Sequence, residues 1–301
     1  MEQRLILGAR PSKLSLAQCK LASEQIARLG VERQIKTIIS SGDRDLNSPL
    51  YMTKGQGIFV EDLNRELING NIDVAVHSAK DLPTKLHPDL QIVAVLPRED
   101  PRDCLVSELE FERLESGSII GTSSLRRSFE IRRLRPDLQI RNVRGNIDTR
   151  ISKVGKGYDA VVLAEAGIIR LAPGTKRHPF TVDEMVPAPN QGIIALVCAK
   201  NTEAAKAVAA INDQVTYSAM FIERRITAAL DLGCSAPAGI LATPSGNGWL
   251  VRSRFYSADG RDVRNYFDRI SRLDEIEDLA SELKRRLDGF VGKVYNNNEA
   301  D

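Results

Sequence analysis

Arginine is concentrated between residues 126 and 150 of the sequence. This segment holds eight arginines and no lysine, and its formal charge is +5 because only three acids oppose them: Glu130, Asp137 and Asp148. Guanidinium groups bind carboxylates or phosphates through two parallel hydrogen bonds, which an ammonium group does less specifically. Thr122-Ser123-Ser124 precedes Arg126 and Arg127 at a predicted strand-to-helix turn, where free backbone N–H groups also favour an anion. The segment therefore predicts an anion-binding site.

The eight arginines are not all expected to bind a ligand. Three on the predicted helix are interpreted as solvated or as partners for nearby acids: Arg132, Arg133 and Arg135. Four others lie at predicted strand ends or turns, where open α/β sheets bind ligands: Arg126, Arg127, Arg144 and Arg150. These four are the stronger candidates.

A second candidate segment runs from His77 to Pro83, at the carboxyl end of a predicted apolar strand. In this position Asp81, beside Lys80, would stabilise a cation or position a proton, and a surface turn with an Asx-type hydrogen bond is the alternative. His77 is interpreted as a structural histidine, because no second His or Cys stands at metal-ligand spacing. We expect no metal site.

Cys234 follows Gly233, where a predicted helix runs into a loop. A lone cysteine is usually a small core residue, whereas one in such a turn is accessible for nucleophilic attack or modification. The residues alone leave both interpretations open. The four cysteines have no paired spacing, so neither a disulfide framework nor a zinc site is indicated.

The whole chain is nearly neutral, with 42 Lys+Arg against 40 Asp+Glu and a net charge of +2. This balance excludes a uniformly basic protein. Phe129 is the sole aromatic residue between residues 122 and 150, so a nucleic-acid stacking platform is not indicated. No apolar run approaches the ~20 residues of a membrane span. The first apolar run, residues 4–8, does not suit a signal peptide, and we expect a soluble, cytoplasmic, multidomain protein.

Strand and helix patterns alternate through the first two thirds of the chain, which favours mainly parallel sheets covered by helices. Predicted strands cover residues 4–8, 34–40, 72–76, 118–121, 138–143 and 159–164, and the last of these is expected to continue to Gly167. Predicted helices cover 12–29, 58–68 and the segment after 122. The last third predicts a small α+β domain, with a helix at 216–230, strands at 239–242 and 249–256, and a final helix from Ser271. Residues 96–101 and 187–192 combine Pro with polar residues, as joints between domains do.

A series of motifs, in order along residues 4–237, resembles the porphobilinogen deaminase (hydroxymethylbilane synthase) family. Each motif alone is weak, but the ordered series is highly specific. The motifs lie at residues 8–12, 42–43, 55–59, 76–83, 98–103, 121–127, 144–150, 163–170, 191–192, 223–224 and 233–234.

The resemblance implies an α/β fold of two lobes like those of type-II periplasmic solute-binding proteins, plus a smaller C-terminal α+β domain. It implies a first domain of residues 1–96 with 193–213, carrying Asp81. The second, arginine-rich domain would be residues 97–192, and the third, residues 214–301, would carry Cys234.

The implied activity is that of a transferase in tetrapyrrole (porphyrin and haem) biosynthesis. Four porphobilinogen molecules condense head to tail with release of ammonia, and water then frees hydroxymethylbilane. The implied cofactor is dipyrromethane, bound through a thioether to the position of Cys234. Porphobilinogen is the implied partner, with no nucleic acid and no membrane, and the resemblance suggests a monomer.

The resemblance also implies roles for individual residues. Asp81 matches the family's catalytic aspartate. Family positions that bind the cofactor are matched by Ser78, Lys80, Asp81, Thr122, Ser123, Arg126, Arg127 and Arg144. Positions that bind the substrate are matched by Arg10, Ser12, Arg144, Arg150 and Arg170.

The sequence departs from the common family pattern at a few positions: Ser40 (often Thr), Gln56 (often Lys), Glu165 (often small or apolar), Pro189-Asn190 (often Val-Gly) and Leu232 (often Gly). None of these removes Asp81, Cys234 or a matched arginine. The alternative from another functional class is a non-catalytic bilobal binding protein for a carboxylate or phosphate ligand. That alternative requires neither Cys234 nor a third domain.

Overall fold

The computed structural model describes residues 4–39, 58–233 and 236–290. Its strands are β1 (Leu5–Ala9), β2 (Arg33–Thr37), β3 (Val74–Ser78), β4 (Leu90–Val95), β5 (Asp103–Val106), β6 (Ile119–Gly121), β7 (Gln139–Arg141), β8 (Ala160–Ala164), β9 (His178–Pro179), β10 (Ile194–Ala199), β11 (Ala238–Ser245), β12 (Gly248–Tyr256) and β13 (Val263–Ile270). Its α-helices are α1 (Lys13–Ala27), α2 (Ile58–Ile68), α3 (Leu125–Leu134), α4 (Ile147–Ile151), α5 (Glu165–Leu171), α6 (Glu203–Ala209), α7 (Gln214–Ala229) and α8 (Ile276–Arg286).

The chain divides into two compact units, one of Met1–Arg98 with Ile193–Tyr217 and one of Glu99–Gly192 with Ser218–Asp301. We call the first unit the first lobe. Within the second unit, Glu99–Gly192 is the second lobe and the residues from Ser218 onward form the C-terminal part. The two parts of the second unit have separate sheets, and the three-domain division with the bounds given above stays a prediction.

The first lobe contains a five-stranded sheet in the order β2-β1-β3-β10-β4. β1 is parallel to β2 and β3, whereas β10 is antiparallel to β3 and β4. Helix α1 covers this sheet with Ala22 and Ile26, which pack in one core with Leu7, Val76 and Leu196. The apolar face of the predicted helix therefore lies on the sheet, as its spacing indicates.

The second lobe repeats the same arrangement in the order β7-β6-β8-β5-β9. β6 is parallel to β7 and β8, and β5 is antiparallel to β8 and β9. In each lobe the antiparallel strand next to the centre (β10 or β5) comes directly after one of the two proline-containing joints. The two lobes share one strand order, and the predicted α/β fold class is confirmed.

The C-terminal part is an antiparallel sheet in the order β11-β12-β13. Its core combines Ile240 and Phe255 of the sheet with Ile226 of α7 and Leu283 of α8. The predicted small α+β domain is confirmed in its element types. The last helix begins at Ile276 rather than near Ser271, because a 3-10 turn at Leu273–Glu275 precedes it.

Some elements differ from the sequence expectations. Strand β8 does not continue to Gly167, because helix α5 begins immediately after it at Glu165. Strands β4, β5, β9, β10 and β13 and helices α4, α5 and α6 are not among the elements that the sequence predicts. β13 lies at the edge of its sheet with most of its side chains exposed, so it lacks the apolar alternation that indicates a strand. None of the helices in the described ranges has the length and apolar character of a membrane span.

Candidate active site

In the first lobe, five candidate residues follow two neighbouring strands. Arg10 and Ser12 come directly after β1, and Ser78, Lys80 and Asp81 lie at the end of β3 and just beyond it. Because β1 and β3 are adjacent and parallel, their carboxyl ends lie at the same edge of the sheet. Ligands of open α/β sheets bind at this edge.

Hydrogen bonds hold the start of helix α1 against this edge. Ser12 caps the helix by accepting from Ser15 N at 3.3 Å, and the Ser15 hydroxyl accepts from Arg10 N at 2.9 Å. Buried Gln18 donates from Nε2 to the Ser78 hydroxyl at 2.8 Å, which joins α1 to the end of β3. Gln18 is not among the residues predicted from the sequence; its signal is a polar side chain on the predicted apolar face.

Asp81 ends a 3-10 turn, Ala79–Asp81, that follows β3. Ala79 N donates to Ile193 O at 2.9 Å, and Leu82 N donates to Ala79 O at 3.2 Å. Ala79 and Leu82 are buried while Asp81 is exposed. Two buried apolar residues thus fix the turn, and the Asp81 side chain is accessible to a ligand.

His77 precedes this turn and is buried. Burial lowers the pKa of His77 to about 4, and the charge of Arg10 acts in the same direction. Its imidazole is therefore neutral at neutral pH. Among the described residues, no group of three His, Cys, Asp or Glu side chains is placed to hold a metal ion.

In the second lobe, the candidate residues follow the parallel neighbours β6, β7 and β8, so they share one sheet edge as well. Thr122 and Ser123 follow β6, and the Ser123 hydroxyl donates to Val143 O at 2.8 Å. The buried Thr122 hydroxyl accepts from Ser124 N at 3.2 Å. These bonds fix the turn before helix α3.

Arg126 and Arg127, in the first turn of α3, are only 3% and 8% exposed. Arg126 NH1 lies 2.8 Å from Asp103 Oδ2, and Arg127 binds Asp103 Oδ1 through Nε at 2.9 Å and NH2 at 2.7 Å. Asp103 is fully buried. Burial by itself would raise the pKa of Asp103, but the two arginines and a hydrogen bond from Gln191 outweigh it and hold that pKa far below its usual range.

The other three candidate arginines of this lobe differ in burial. Arg144 is exposed. Arg150 Nε donates to Gly145 O at 2.7 Å; burial, and then the charge of Arg127, lower the pKa of Arg150. Arg170 NH2 donates to Gly192 O at 2.7 Å, and its buried Nε has no hydrogen-bond partner in the described part of the chain. Burial lowers the pKa of Arg170, an effect that Glu99 opposes.

The sequence predicts that three arginines in the last turn of α3 and at its end are solvated or paired with acids, and the structure agrees. Arg132 is exposed, Arg133 pairs with Glu130 at 3.1 Å, and Arg135 pairs with Asp137 at 2.7 Å. That prediction is confirmed. Pairing with an acid does not by itself distinguish these residues from the arginines at the sheet edge, since Arg126 and Arg127 pair with buried Asp103.

Three departures from the family pattern have local structural reasons. Glu165 begins helix α5 and its buried carboxylate pairs with Arg177 at 2.7 Å. Asn190 has φ of 63°, a left-handed conformation that Asn tolerates better than most residues and that glycine commonly adopts. Leu232 packs in the core of the C-terminal part. Ser40, Gln56 and the motifs at 42–43 and 55–57 lie outside the described residues.

Cys234 also lies outside the described residues. On either side of it, Leu232 is buried and Ala236 N donates to Gly233 O at 3.0 Å. The other three cysteines are buried free thiols: Cys19, Cys104 and Cys198.

The groups at the second-lobe edge fit a ligand that carries several carboxylates. They are guanidinium groups, hydroxyl groups and one buried guanidinium N–H, of Arg170, that has no partner in the described residues. Charge-assisted hydrogen bonds from such donors are what carboxylates require.

The family model described as "Porphobilinogen deaminase, dipyromethane cofactor binding domain" matches residues 5–207, more than half of the chain. The chain belongs to the porphobilinogen deaminase family. It is 43% identical over 282 residues to a probable porphobilinogen deaminase of Thermoplasma acidophilum, covering 93% of this chain and 96% of that one. The porphobilinogen deaminase of a Roseiflexus species is 41% identical over 271 residues, covering 88% of this chain and 89% of that one.

A solved structure of the methionine binding protein MetQ is also similar. It has a TM-score of 0.42 and 12% sequence identity, covering 75% of this chain and 93% of that one.

Proposed function

We propose that Asp81, the arginines at the two sheet edges and Cys234 carry out the reaction of this family. The protein is a transferase of tetrapyrrole biosynthesis that condenses four porphobilinogen molecules head to tail, with release of ammonia, to give hydroxymethylbilane. Family membership over most of the chain supports the reaction. The observation that supports the residue assignment is the exposed Asp81 on a turn fixed by buried neighbours.

The arginines bind the carboxylates of the growing product. Each pyrrole carries an acetate and a propionate, so every cycle adds two negative charges. We assign this role to Arg10 with Ser12 in the first lobe and to Arg144, Arg150 and Arg170 in the second. Their positions at the carboxyl ends of parallel strands support the assignment.

Asp81 acts on the reacting carbon. When the C–N bond of porphobilinogen breaks, ammonia leaves with the bonding electrons and the methylene carbon becomes cationic. The Asp81 carboxylate stabilises this charge and accepts hydrogen bonds from pyrrole N–H groups. A new C–C bond then forms at the α-carbon of the neighbouring pyrrole, and Asp81 assists the departure of the proton from that carbon.

The dipyrromethane cofactor, when bound, supplies the α-carbon at which elongation starts. We propose that Cys234 holds it through a thioether. Its side groups are bound by hydroxyl and cationic side chains: Ser78, Lys80, Thr122, Ser123, Arg126, Arg127 and Arg144. The remaining three cysteines suit this role poorly, because burial keeps them as thiols: it raises the pKa of Cys19 and Cys198 to about 12 and holds that of Cys104 well above its usual range.

The substitution Asp81→Asn tests the catalytic assignment. It keeps the size of the side chain but removes the charge, so the variant should remain folded and loaded with cofactor while its turnover falls by about three orders of magnitude or more. Asp89→Asn is the matched control, because Asp89 is an exposed aspartate of the same lobe that pairs with His87. Near-normal turnover in the Asp81 variant would refute the assignment.

The intact mass of the denatured protein tests the cofactor site. The parent protein should exceed its sequence mass by one dipyrromethane, the Cys234→Ser variant should not, and a Cys19→Ser control should retain the addition. A parent protein without the addition, which also gives no colour with acidic dimethylaminobenzaldehyde, would instead behave as a simple binding protein.

We also propose a monomeric, cytoplasmic protein with porphobilinogen as its partner. The scattered cysteines of the sequence support a reducing compartment. Light scattering during size-exclusion chromatography should give the mass of one chain, and twice that mass would overturn the monomer.

A further inference from the structure

Asp103 is a buried carboxylate shared by two arginines, and the proposed reaction gives it no role. It is the first residue of β5, and all its contacts with Arg126 and Arg127 are 2.9 Å or shorter. The same guanidinium groups also donate to carbonyl oxygens. Arg126 NH1, which contacts Asp103, donates to Val186 O at 2.9 Å, and Arg127 NH1 donates to Val162 O at 3.1 Å. Asp103 thus completes a rigid support for both arginines.

Gln191 connects this support to both ends of the second lobe. Its Nε2 donates to Asp103 Oδ1 at 3.0 Å and to Pro101 O at 2.8 Å. Pro101 lies where the chain enters the second lobe, and Gln191 lies where it leaves. The two arginines are therefore held by three separate segments of the lobe, which contain Asp103, Val162 and Val186.

The cluster of Asp103, Arg126 and Arg127 carries a surplus of one positive charge, since one carboxylate faces two guanidinium groups. Burying an uncompensated charge is unfavourable, so the surplus favours binding of one further anionic group. The field of the cluster extends to Arg150, whose pKa is lowered by Arg127 in addition to burial.

We propose that Asp103 is a positioning residue for the dipyrromethane cofactor. It fixes the guanidinium groups of Arg126 and Arg127 at the start of α3 before the cofactor arrives, and it leaves one positive charge for a cofactor carboxylate. Preorganised donors bind more tightly because less order is lost on binding. This inference rests on the proposed function, in which these two arginines bind the cofactor.

The test compares Asp103→Asn with Glu130→Gln. Glu130 is a matched control, because it is also fully buried and also pairs with two arginines, Arg133 and Arg254, and because it belongs to helix α3, which carries Arg126 and Arg127. Apo-proteins are prepared from cells that make no porphobilinogen and are then incubated with porphobilinogen. Intact mass gives the rate at which each protein gains the dipyrromethane, and thermal unfolding gives its Tm.

We expect the Asp103→Asn variant to load at least about tenfold more slowly than the parent, the effect of losing one charge-assisted interaction. The Glu130→Gln variant should load at the parental rate even when its Tm falls as far. Equal loading of the Asp103 variant and the parent would overturn the proposal. Slow loading of both variants would overturn it too, because loading would then follow stability alone.

If Asp103→Asn does not fold, Asp103→Glu replaces it, because this variant keeps the charge and moves the carboxylate by one methylene group. Slower loading of a folded Asp103→Glu protein supports the proposal, and parental loading overturns it. A parent protein that never gains the adduct contradicts the proposed function instead, so the two failures are distinguishable.

Discussion

His77 lies directly before the turn that carries Asp81, and its burial makes the first lobe sensitive to acid. Above about pH 6.5 an imidazole is neutral in both the folded and the unfolded chain. Between pH 6.5 and about 4 the unfolded chain takes up a proton that folded His77 does not. The free energy of unfolding therefore falls as the pH falls through this window.

We predict that the lowered pKa of His77 alone reduces the free energy of unfolding by about 3 kcal/mol when the pH falls from 7 to 4. The His77→Leu variant should lose this part of the pH dependence of Tm. His87→Leu is the control, since His87 is exposed in the same lobe and its loss should leave the dependence as it is. The same pH dependence in the parent and the His77 variant would contradict the prediction.

The chemical identity of the site residues could be predicted from the sequence, but their partners could not. Arg126, Arg127 and Asp81 stand in recognisable motifs at predicted strand ends. Asp103 stands in one of those motifs as well, but its pairing with both arginines depends on β5 lying beside β8 and on the position of α3. Such contacts between distant segments have no signal in residue spacing.

Among the helices, the long ones are predicted by the sequence, whereas α4, α5 and α6, of five to seven residues, lie outside the predicted helices. Helix α2 has the predicted bounds, and α1 is two residues shorter at its carboxyl end than predicted, because Leu29 and Gly30 already lie in a turn. The strands that the sequence does not predict include short and long ones, such as β9 with two residues and β13 with eight. β5 has four residues and follows a polar joint, so tertiary pairing rather than local pattern determines it.

Helix α7 connects two segments through one buried carboxylate, Glu223. Its oxygens accept from the backbone N–H of Asn190, in the second joint, and of Ala242, in β11 at 2.9 Å. Both residues are buried, so each of these N–H groups would lack a hydrogen-bond partner without this acceptor. Glu223 therefore fixes the position of the joint against the sheet of the C-terminal part.

We predict that Glu223→Gln lowers the stability of the second unit by about 2 kcal/mol, because the amide NH2 group cannot accept from a backbone N–H. Its Tm should fall by about 5 °C. The control is Glu277→Gln in α8. It removes an exposed carboxylate that pairs with Arg225, a residue on the same helix as Glu223, and should change Tm little. Differential scanning fluorimetry measures both, and equal shifts would contradict the prediction.

At the scale of the whole molecule, the second lobe and the C-terminal part meet at buried polar contacts. Arg254 of β12 binds Glu130 of α3 at 2.7 Å and the carbonyl oxygen of Glu184 at 2.9 Å, and the Tyr256 hydroxyl donates to Glu130 at 2.7 Å. The ring of Phe129 packs against that of Tyr256 in a tilted arrangement, with ring centroids 5.5 Å apart. These contacts unite two sheets in one compact unit.

We predict that this unit unfolds in one calorimetric transition and that Arg254→Met divides the transition in two. Removing Arg254 leaves the buried Glu130 carboxylate without its closest cation, which costs about 3–5 kcal/mol. Arg252→Met is the control, because Arg252 lies on the same strand and pairs with the largely exposed Asp183 at 3.3 Å. A single transition in the Arg254 variant would show that the contact does not couple the two parts.

The position of β10 has a consequence for how the protein is made. This strand lies between β3 and β4, yet the ribosome synthesises it only after the entire second lobe. At roughly 5–20 residues per second, β3 and β4 wait on the order of ten seconds for the strand that joins them. The second lobe, whose sheet comes from one continuous stretch, is therefore complete first, and the nascent first lobe exposes two unpaired strand edges in the meantime. During translation the first lobe is the part most exposed to aggregation and to chaperones.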